Sequence, residues 1–165
     1  MFDLRRREFI TLLGGAAAVW PLAARAQQAE RMRRIGVLMN LAADDPQSPV
    51  RIATFLLGLQ ESGWTDGRNL RIDYRWGAGD PDRYRRYAAE LVALAPDVIL
   101  AVGASLGALF QATRTVPIVF TVVADPVGAG LVASLARPGG NVTGFMEFEF
   151  SISGKWLEQI GRAHV

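Results

Sequence analysis

The sequence predicts an α/β protein built on a five-stranded parallel sheet with helices on both of its faces. Short apolar runs recur along the chain, and such runs are typical of strands buried inside a parallel sheet. Between them lie longer segments whose apolar residues repeat with helical spacing, and Pro, Gly, Asp and Ser mark the boundaries. Regular alternation of strand and helix implies right-handed crossover connections. The predicted class is therefore a doubly wound α/β domain.

The first two predicted strands enclose a helix with clear boundary signals. The nearly continuous apolar run 34–40 predicts a strand buried on both faces. Ser48 followed by Pro49 predicts a capped helix start, and Gly63 predicts its end. The run 70–76 alternates in polarity, which predicts a strand near a sheet edge. The helix between these strands carries an apolar stripe that consists of Ile52, Phe55, Leu56 and Leu59.

The next strand and its two flanking helices follow the same pattern. Asp80 and Pro81 predict a second capped helix, which Pro96 ends. Its predicted apolar stripe consists of Tyr84, Tyr87, Ala88, Leu91 and Leu94. The wholly apolar run 98–102 predicts a central strand. Ser105 is placed to cap a third helix that ends near residue 113.

The remaining elements complete the predicted sheet. The run 118–123 predicts a fourth strand that Asp125 and the following proline end. A short helix is expected over 131–136, a fifth strand over 142–146 and the start of another helix over 153–159. Ligands of such folds bind at the carboxyl ends of the strands, so the loops that begin there are the expected functional region.

The first 26 residues have the order of parts found in an export signal. Arg5–Arg7 are basic, 10–23 is apolar, and Ala24–Ala26 fits a small-x-small cleavage site that makes Gln27 the first mature residue. The basic segment resembles the twin-arginine export motif, although general secretion stays open. An uncleaved membrane anchor is the alternative, but the apolar stretch falls short of the roughly 20 residues that span a bilayer. We therefore expect an exported, periplasmic protein.

This signal also explains the apparent basicity of the chain. The net charge is +2 at pH 7, from 18 basic and 16 acidic residues. The signal holds four of the basic and two of the acidic residues, so the chain from Gln27 onward has 14 of each and no net charge. The short basic stretches 31–34 and 83–86 are interpreted as solvated surface. The composition therefore argues against a nucleic-acid partner.

The sequence offers little for catalysis. It has no Cys, and His164 is its one histidine, so a nucleophile would lack a base. The segment 77–79 lacks the third glycine of a dinucleotide fingerprint and is interpreted as a plain loop. Asp44 and Asp45 are interpreted as a solvated loop, and no acidic residues cluster with metal-ligand spacing. No enzyme activity, cofactor or metal is expected, which leaves molecular recognition.

Two residues suit recognition of a small zwitterion. Ser105 at a helix start offers a hydroxyl and backbone N–H groups that fit a carboxylate, and Asp125 after the fourth strand offers a charge that fits an ammonium group. The alternatives are a simple helix cap for Ser105 and a turn former for Asp125, because both residue types favour those positions anyway.

Several segments resemble the ABC-transporter substrate-binding proteins of the tryptophan/tyrosine-binding type. The similar segments are 5–28, 34–38, 55–69, 96–99 and, the longest and most specific, 125–144. The resemblance implies a periplasmic-binding-protein-like fold, in which two α/β lobes close on a ligand. It also implies that the family's ligands include aromatic amino acids, that ABC permease subunits in the membrane are the partners, and that the protein is a monomer.

The resemblance also implies a set of cleft residues. By position these are Asn40, Ala104, Ser105, Asp125 and Thr143. One departure concerns the third-strand turn, where many members have Gly-Thr and this chain has Gly103 followed by Ala104. The cleft of this chain therefore lacks the threonine hydroxyl that those members carry at the turn.

Length is the second departure from the family. Members are roughly twice as long, so residues 27–159 are expected to form the first lobe, with the second lobe absent. Residues 160–165 resemble the translated read-through of a sequencing adapter, and a divergent natural terminus is the alternative. Two other functions stay open: a secreted α/β enzyme whose catalytic half is missing, and the ligand-sensing lobe of a membrane receptor.

Overall fold

The computed structural model describes residues 32–146, and those residues contain five strands and three helices. In chain order they are β1 (Arg33–Met39), α1 (Gln47–Glu61), β2 (Leu70–Trp76), α2 (Pro81–Ala93), β3 (Val98–Val102), α3 (Ser105–Ala112), β4 (Ile118–Val123) and β5 (Val142–Met146). The five predicted strands are confirmed. Among these residues, no helix is long and apolar enough to cross a membrane.

The strands form a single parallel sheet in the order β2-β1-β3-β4-β5. The chain therefore moves from β1 outward to β2, returns past β1 to β3, and continues to β4 and β5. This reversal defines a doubly wound sheet. The apolar run of β3 lies in the centre and the alternating run of β2 lies at an edge, as the sequence predicts.

One face of the sheet is closed by α2 and α3. Leu38, Ile99 and Phe120 point from three neighbouring strands into this layer, and each is fully buried. From the helices, Leu91 and Leu109 pack against them with no exposed surface. Burying a large apolar side chain contributes about 1.5–3 kcal/mol, so this layer is the main core of the described region.

The opposite face carries α1. Val37, Met39 and Val102 are buried on this side, and Phe55 is the helical residue that packs against them. The predicted stripe on α1 is only half buried, and Leu57 on the same helix is 57% exposed. This second layer is therefore thinner than the first.

Helix starts follow the sequence in one case and depart from it in another. Asp80 caps α2 as predicted, because its carboxylate accepts hydrogen bonds from the backbone N–H groups of Asp82 and Arg83. The prediction that Ser48 caps α1 is wrong, since Ser48 is buried inside the first turn and donates its hydroxyl to the carbonyl of Ala42 at 2.8 Å. Asp45 instead accepts from the N–H of Gln47. The helix starts earlier because the Asp45 loop already supplies an acceptor for its first N–H group.

The prediction of a short helix over 131–136 is also wrong. Residues 126–130 form turns and the chain beyond them runs irregularly to β5. Gly130 and Gly139 adopt positive φ, and Ser134 closes a local turn with Arg137. Six residues are too few to repay helix nucleation when glycines flank them. The helix predicted over 153–159 lies outside the described residues.

Candidate functional site

The carboxyl ends of the strands bring four sequence-predicted site residues to one edge of the sheet. Asn40 follows β1, Ala104 and Ser105 follow β3, and Asp125 follows β4. The loop 77–79 follows the edge strand β2 and lies beside Asn40, because its backbone N–H groups bond back to the end of β1 and the loop after it. In a doubly wound sheet this edge is where ligands bind.

Two hydrogen bonds hold the backbone of Asn40 at the end of β1. Its backbone carbonyl accepts hydrogen bonds from the N–H of Gly79 at 3.0 Å and from the hydroxyl of Tyr84 at 3.2 Å. Its side-chain Oδ1 is buried and has no hydrogen-bond partner among the described residues. A buried polar atom without a partner costs free energy, and residues 32–146 do not supply the hydrogen bond that this acceptor needs.

Gly103 has no side chain, and this leaves space for the side chain of Asn40. Its φ is +60°, and a Cβ built at this position would lie 2.9 Å from Asn40 Nδ2. Its N–H donates to the carbonyl of Thr121 at 2.9 Å, which fixes the turn against β4. Glycine is therefore required here both by the backbone conformation and by the close approach of Asn40.

Ser105 does not cap α3. Ala104 occupies the cap position without a side-chain hydrogen bond, and Ser105 is the first helical residue. Its hydroxyl is fully buried and donates to the carbonyl of Leu38 at 3.0 Å. The predicted cap is wrong because this bond across to β1 satisfies the hydroxyl instead. The first N–H groups of α3, like those of any helix, have no acceptor within the helix.

Ala104 and Asp125 are the exposed members of the group. Ala104 adds only a methyl group to the edge. Asp125 uses Oδ1 to accept from the N–H of Gly128 at 2.7 Å, so the carboxylate closes the turn after β4. A Cβ at Gly128 would overlap Asp125 Oδ2 at 2.0 Å, which shows how tightly this turn is wrapped around the charge.

Thr143 is not brought to this edge. It is the second residue of β5 and lies beside Val119, near the start of β4. At about 3.3 Å per residue, the remaining strand residues separate it from the carboxyl ends by roughly 10 Å. It is exposed on the sheet face opposite the buried Val142.

Two residues of the site were not predicted as such. The sequence places Tyr84 in the core stripe of α2, but its hydroxyl also reaches Asn40 and accepts from the N–H of Gly79. Burial raises the pKa of Tyr84 above its usual value, so the phenol stays protonated and donates. Gly77 is required because a Cβ there would lie 2.0 Å from the Tyr84 ring. The one sequence signal for this part of the site was the pair Gly77 and Gly79 directly before the predicted second helix.

β4 carries backbone strain beside the site. Its pairing with β5 shifts between Phe120 and Val123, and Val122 has a φ of +59°. This conformation is unusual for a β-branched residue and costs on the order of 1 kcal/mol or more. The bulge leads directly into Ala124 and Asp125.

The arrangement suits binding rather than reaction. It presents the amide of Asn40, the start of α3 and the carboxylate of Asp125, while the hydroxyl of Ser105 is already engaged in its bond to Leu38. Across residues 32–146, no three acidic, histidine or cysteine side chains gather in a way that could hold a metal ion. These groups can orient a small polar solute, whose body would fill the space above the edge.

Comparison with known proteins assigns this chain to a family. Residues 38–152 match the sequence model of the ABC transporter substrate binding proteins, and the chain belongs to that family. Its members bind small solutes and work with transporter permeases; they are not enzymes. A tyrosine-binding protein of Clostridioides difficile (strain R20291) is 39% identical over 95 residues, which cover 57% of this chain and 28% of that protein.

Solved structures agree with this assignment. A conserved domain protein from Vibrio cholerae has a TM-score of 0.67 and 34% identity over 78% of this chain and 43% of its own. A ligand-free, open substrate-binding protein with adhesive properties from Clostridium difficile has a TM-score of 0.66 and 33% identity over the same shares. An ABC domain from Streptococcus pneumoniae in complex with L-Trp has a TM-score of 0.62 and 31% identity over 69% of this chain and 38% of its own.

This chain therefore spans less than half the length of each of these relatives. The match confirms the periplasmic-binding-protein-like fold that the resemblance implies.

Proposed function

We propose that this chain is the first lobe of an exported solute-binding protein that delivers an aromatic amino acid to an ABC importer. The observation that carries the proposal is the buried Oδ1 of Asn40, an acceptor at the ligand edge of the sheet that has no partner within residues 32–146. The L-Trp complex and the tyrosine-binding relative support the choice of ligand class.

Each group at the edge has a role in this proposal. Asn40 accepts from the ligand's ammonium or indole N–H, the N–H groups that begin α3 receive its carboxylate, and Asp125 supplies a negative charge to its ammonium. Ser105 does not contact the ligand. It positions the start of α3, because its hydroxyl bonds this helix to β1. Thr143 has no contact role at this edge and would need another part of the ligand to reach it.

The proposal extends to the ends of the chain. Residues 1–26 are a signal that directs export to the periplasm, 27–159 belong to the lobe, and 160–165 are not native. N-terminal sequencing of the processed protein should begin at Gln27, and resequencing of the gene should replace the last six residues.

Calorimetric titration tests the binding role. We expect the full-length gene product to bind tryptophan, tyrosine or phenylalanine at micromolar concentrations or below. The 165-residue chain should show no measurable heat, because it spans less than half the length of its substrate-binding relatives. Micromolar binding by the 165-residue chain would contradict the two-lobe cleft.

A matched pair of variants tests the site itself. Asn40→Ala in the full-length protein should weaken binding at least about tenfold, since a hydrogen bond to a charged group contributes about 1.5–3 kcal/mol. Gln111→Ala, an exposed change on α3, should leave affinity within about twofold, because surface changes are usually near neutral. Equal affinity in both variants would remove Asn40 from the site.

A further inference from the structure

Within residues 32–146, each helix uses a buried hydroxyl in its first turn to donate to a backbone carbonyl near the end of β1. The pairs are Ser105 of α3 with Leu38 at 3.0 Å, Tyr84 of α2 with Asn40 at 3.2 Å, and Ser48 of α1 with Ala42 at 2.8 Å. None of the three hydroxyl side chains is more than 5% exposed. The starts of three helices are therefore bonded to one segment of five residues, with Asn40 at its centre.

Two of these carbonyls already have a hydrogen bond without the hydroxyl. The carbonyl of Asn40 accepts from the N–H of Gly79 at 3.0 Å, and that of Ala42 accepts from the N–H of Asp45 at 3.3 Å. The large cost of burying a polar group arises when it has no partner at all. A second donor to a paired acceptor therefore adds little stability, and its main effect is to fix where the end of β1 lies relative to the helices.

Tyr84 makes the most direct of these contacts with the candidate solute site. Its hydroxyl donates to Asn40 and accepts from the N–H of Gly79 at 3.2 Å, so one oxygen joins β1 to the loop before α2. The ring lies against Gly77, where a Cβ would be 2.0 Å from it. On the other side, a Cβ at Gly103 would lie 2.9 Å from the Asn40 amide nitrogen. The backbone and the side chain of Asn40 are thus confined by different elements.

We propose that Tyr84 and Ser48, together with Ser105, are positioning residues that hold Asn40 and the helix starts in their solute-binding arrangement before the solute arrives. Their hydroxyls act through β1 and do not touch the solute. A ligand that enters a pre-formed site avoids the entropy cost of ordering it. The inference rests on the proposed function, because one of its readouts is solute affinity, but the order of the edge can be measured without any solute.

The first test removes only the Tyr84 hydroxyl from the full-length gene product. Tyr84→Phe keeps the ring that packs on Gly77, and it should weaken the binding of tryptophan, tyrosine or phenylalanine about fivefold, mainly through faster dissociation. Tyr87→Phe is the control, since the ring of Tyr87 lies against the Arg86 guanidinium at 4.8 Å. Its affinity should stay within about twofold of the parent. Equal affinities of the two variants would overturn the role of Tyr84.

A double-mutant cycle distinguishes positioning from a general loss of stability. If the Tyr84 hydroxyl acts through Asn40, Tyr84→Phe should have less than about a twofold effect on affinity in a protein that already carries Asn40→Ala. The same fivefold loss in both backgrounds would show that the hydroxyl supports only the fold, and it would overturn the proposal. Circular dichroism and the melting temperature check that each variant is folded.

Amide hydrogen exchange tests the order of the edge in the solute-free, full-length protein. Tyr84→Phe should speed the exchange of the Gly79 N–H about fivefold. The Gly103 N–H, which donates to Thr121 at 2.9 Å, should keep its rate. An unchanged Gly79 rate would overturn the proposal, and so would faster exchange with unaltered solute affinity. If the parent protein binds no aromatic amino acid, the proposed solute is rejected, and the Gly79 rate alone decides whether the hydroxyl orders this edge.

Ser48 gives an independent test on another helix. Ser48→Ala should weaken solute binding about fivefold, because the segment after Asn40 loses its bond to α1. Ser62→Ala is the matched control, since Ser62 donates its hydroxyl to a carbonyl of α1 at 3.0 Å but is exposed. Its affinity should change by less than about twofold. A loss in Ser62→Ala as large as that in Ser48→Ala would remove Ser48 from the set of positioning residues.

Discussion

Ser105→Ala measures what the buried hydroxyl of Ser105 contributes. This side chain has no exposed surface, and it donates at 3.0 Å to the carbonyl of Leu38, which lies 67 residues earlier. The bond ties the start of α3 to the central region of the sheet. Loss of a hydrogen bond costs about 1 kcal/mol, and a buried acceptor left with one fewer donor raises this to about 1–2 kcal/mol.

Ser62→Ala is the matched control. Ser62 also donates its hydroxyl to a backbone carbonyl, that of Gly58 at 3.0 Å, but it is exposed at the end of α1. Water replaces the lost bond there, so the free energy of unfolding should change by less than about 0.5 kcal/mol.

Urea unfolding followed by circular dichroism distinguishes the two variants. The midpoint for Ser105→Ala should fall by about 0.5–1 M with an unchanged slope, while Ser62→Ala should stay close to the parent. If both variants lose the same stability, the hydroxyl does not act through burial, and the reasoning that makes Ser105 a positioning residue fails.

Three further predictions concern backbone and charge. Gly144→Ala should destabilise the chain by about 3 kcal/mol, because its Cβ would lie 2.1 Å from the carbonyl oxygen of Phe120; denaturation that shows a smaller loss would mean that β5 can shift. Gly58→Ala, which meets nothing within 4 Å in α1, should stabilise it by about 0.5–1 kcal/mol, and a loss would contradict an open helix surface. Backbone N–H groups lower the pKa of Asp80, so its stabilisation is present above the unfolded pKa near 3.9 and is lost as pH falls through the folded value. The stability advantage over Asp80→Ala, measured by urea unfolding from pH 7 to 2, should therefore shrink at acidic pH; a constant difference would rule out the charged cap.

The strands were predictable because each carries a local signal. The apolar run of β3 requires burial on both faces, and the alternation of β2 requires an edge. The start of α2 was equally local, since Asp80 and Pro81 fix it within one turn. The prediction of a helix over 131–136 was wrong. A short apolar segment without a cap does not offset the cost of helix nucleation when glycines lie beside it.

The candidate site was predictable only as a set of loops. Alternation of strands and helices places Asn40, Ser105 and Asp125 at carboxyl ends, whatever the side chains do. The sequence could not show that the hydroxyl of Ser105 turns inward to Leu38, or that Tyr84 reaches Asn40. Both contacts join residues more than forty positions apart, and such pairings depend on packing.

The sequence by itself determined the class of fold, the order of its strands and the family, because periodicity, turn residues and long motifs are properties of neighbouring residues. Tertiary structure alone decided which buried polar atoms of residues 32–146 have no hydrogen-bond partner in that part of the chain. Asn40 Oδ1 at the solute edge is buried by segments distant in sequence that offer it no donor. Burial of a polar atom is a property of the whole packed region, since it depends on every segment that excludes water from it.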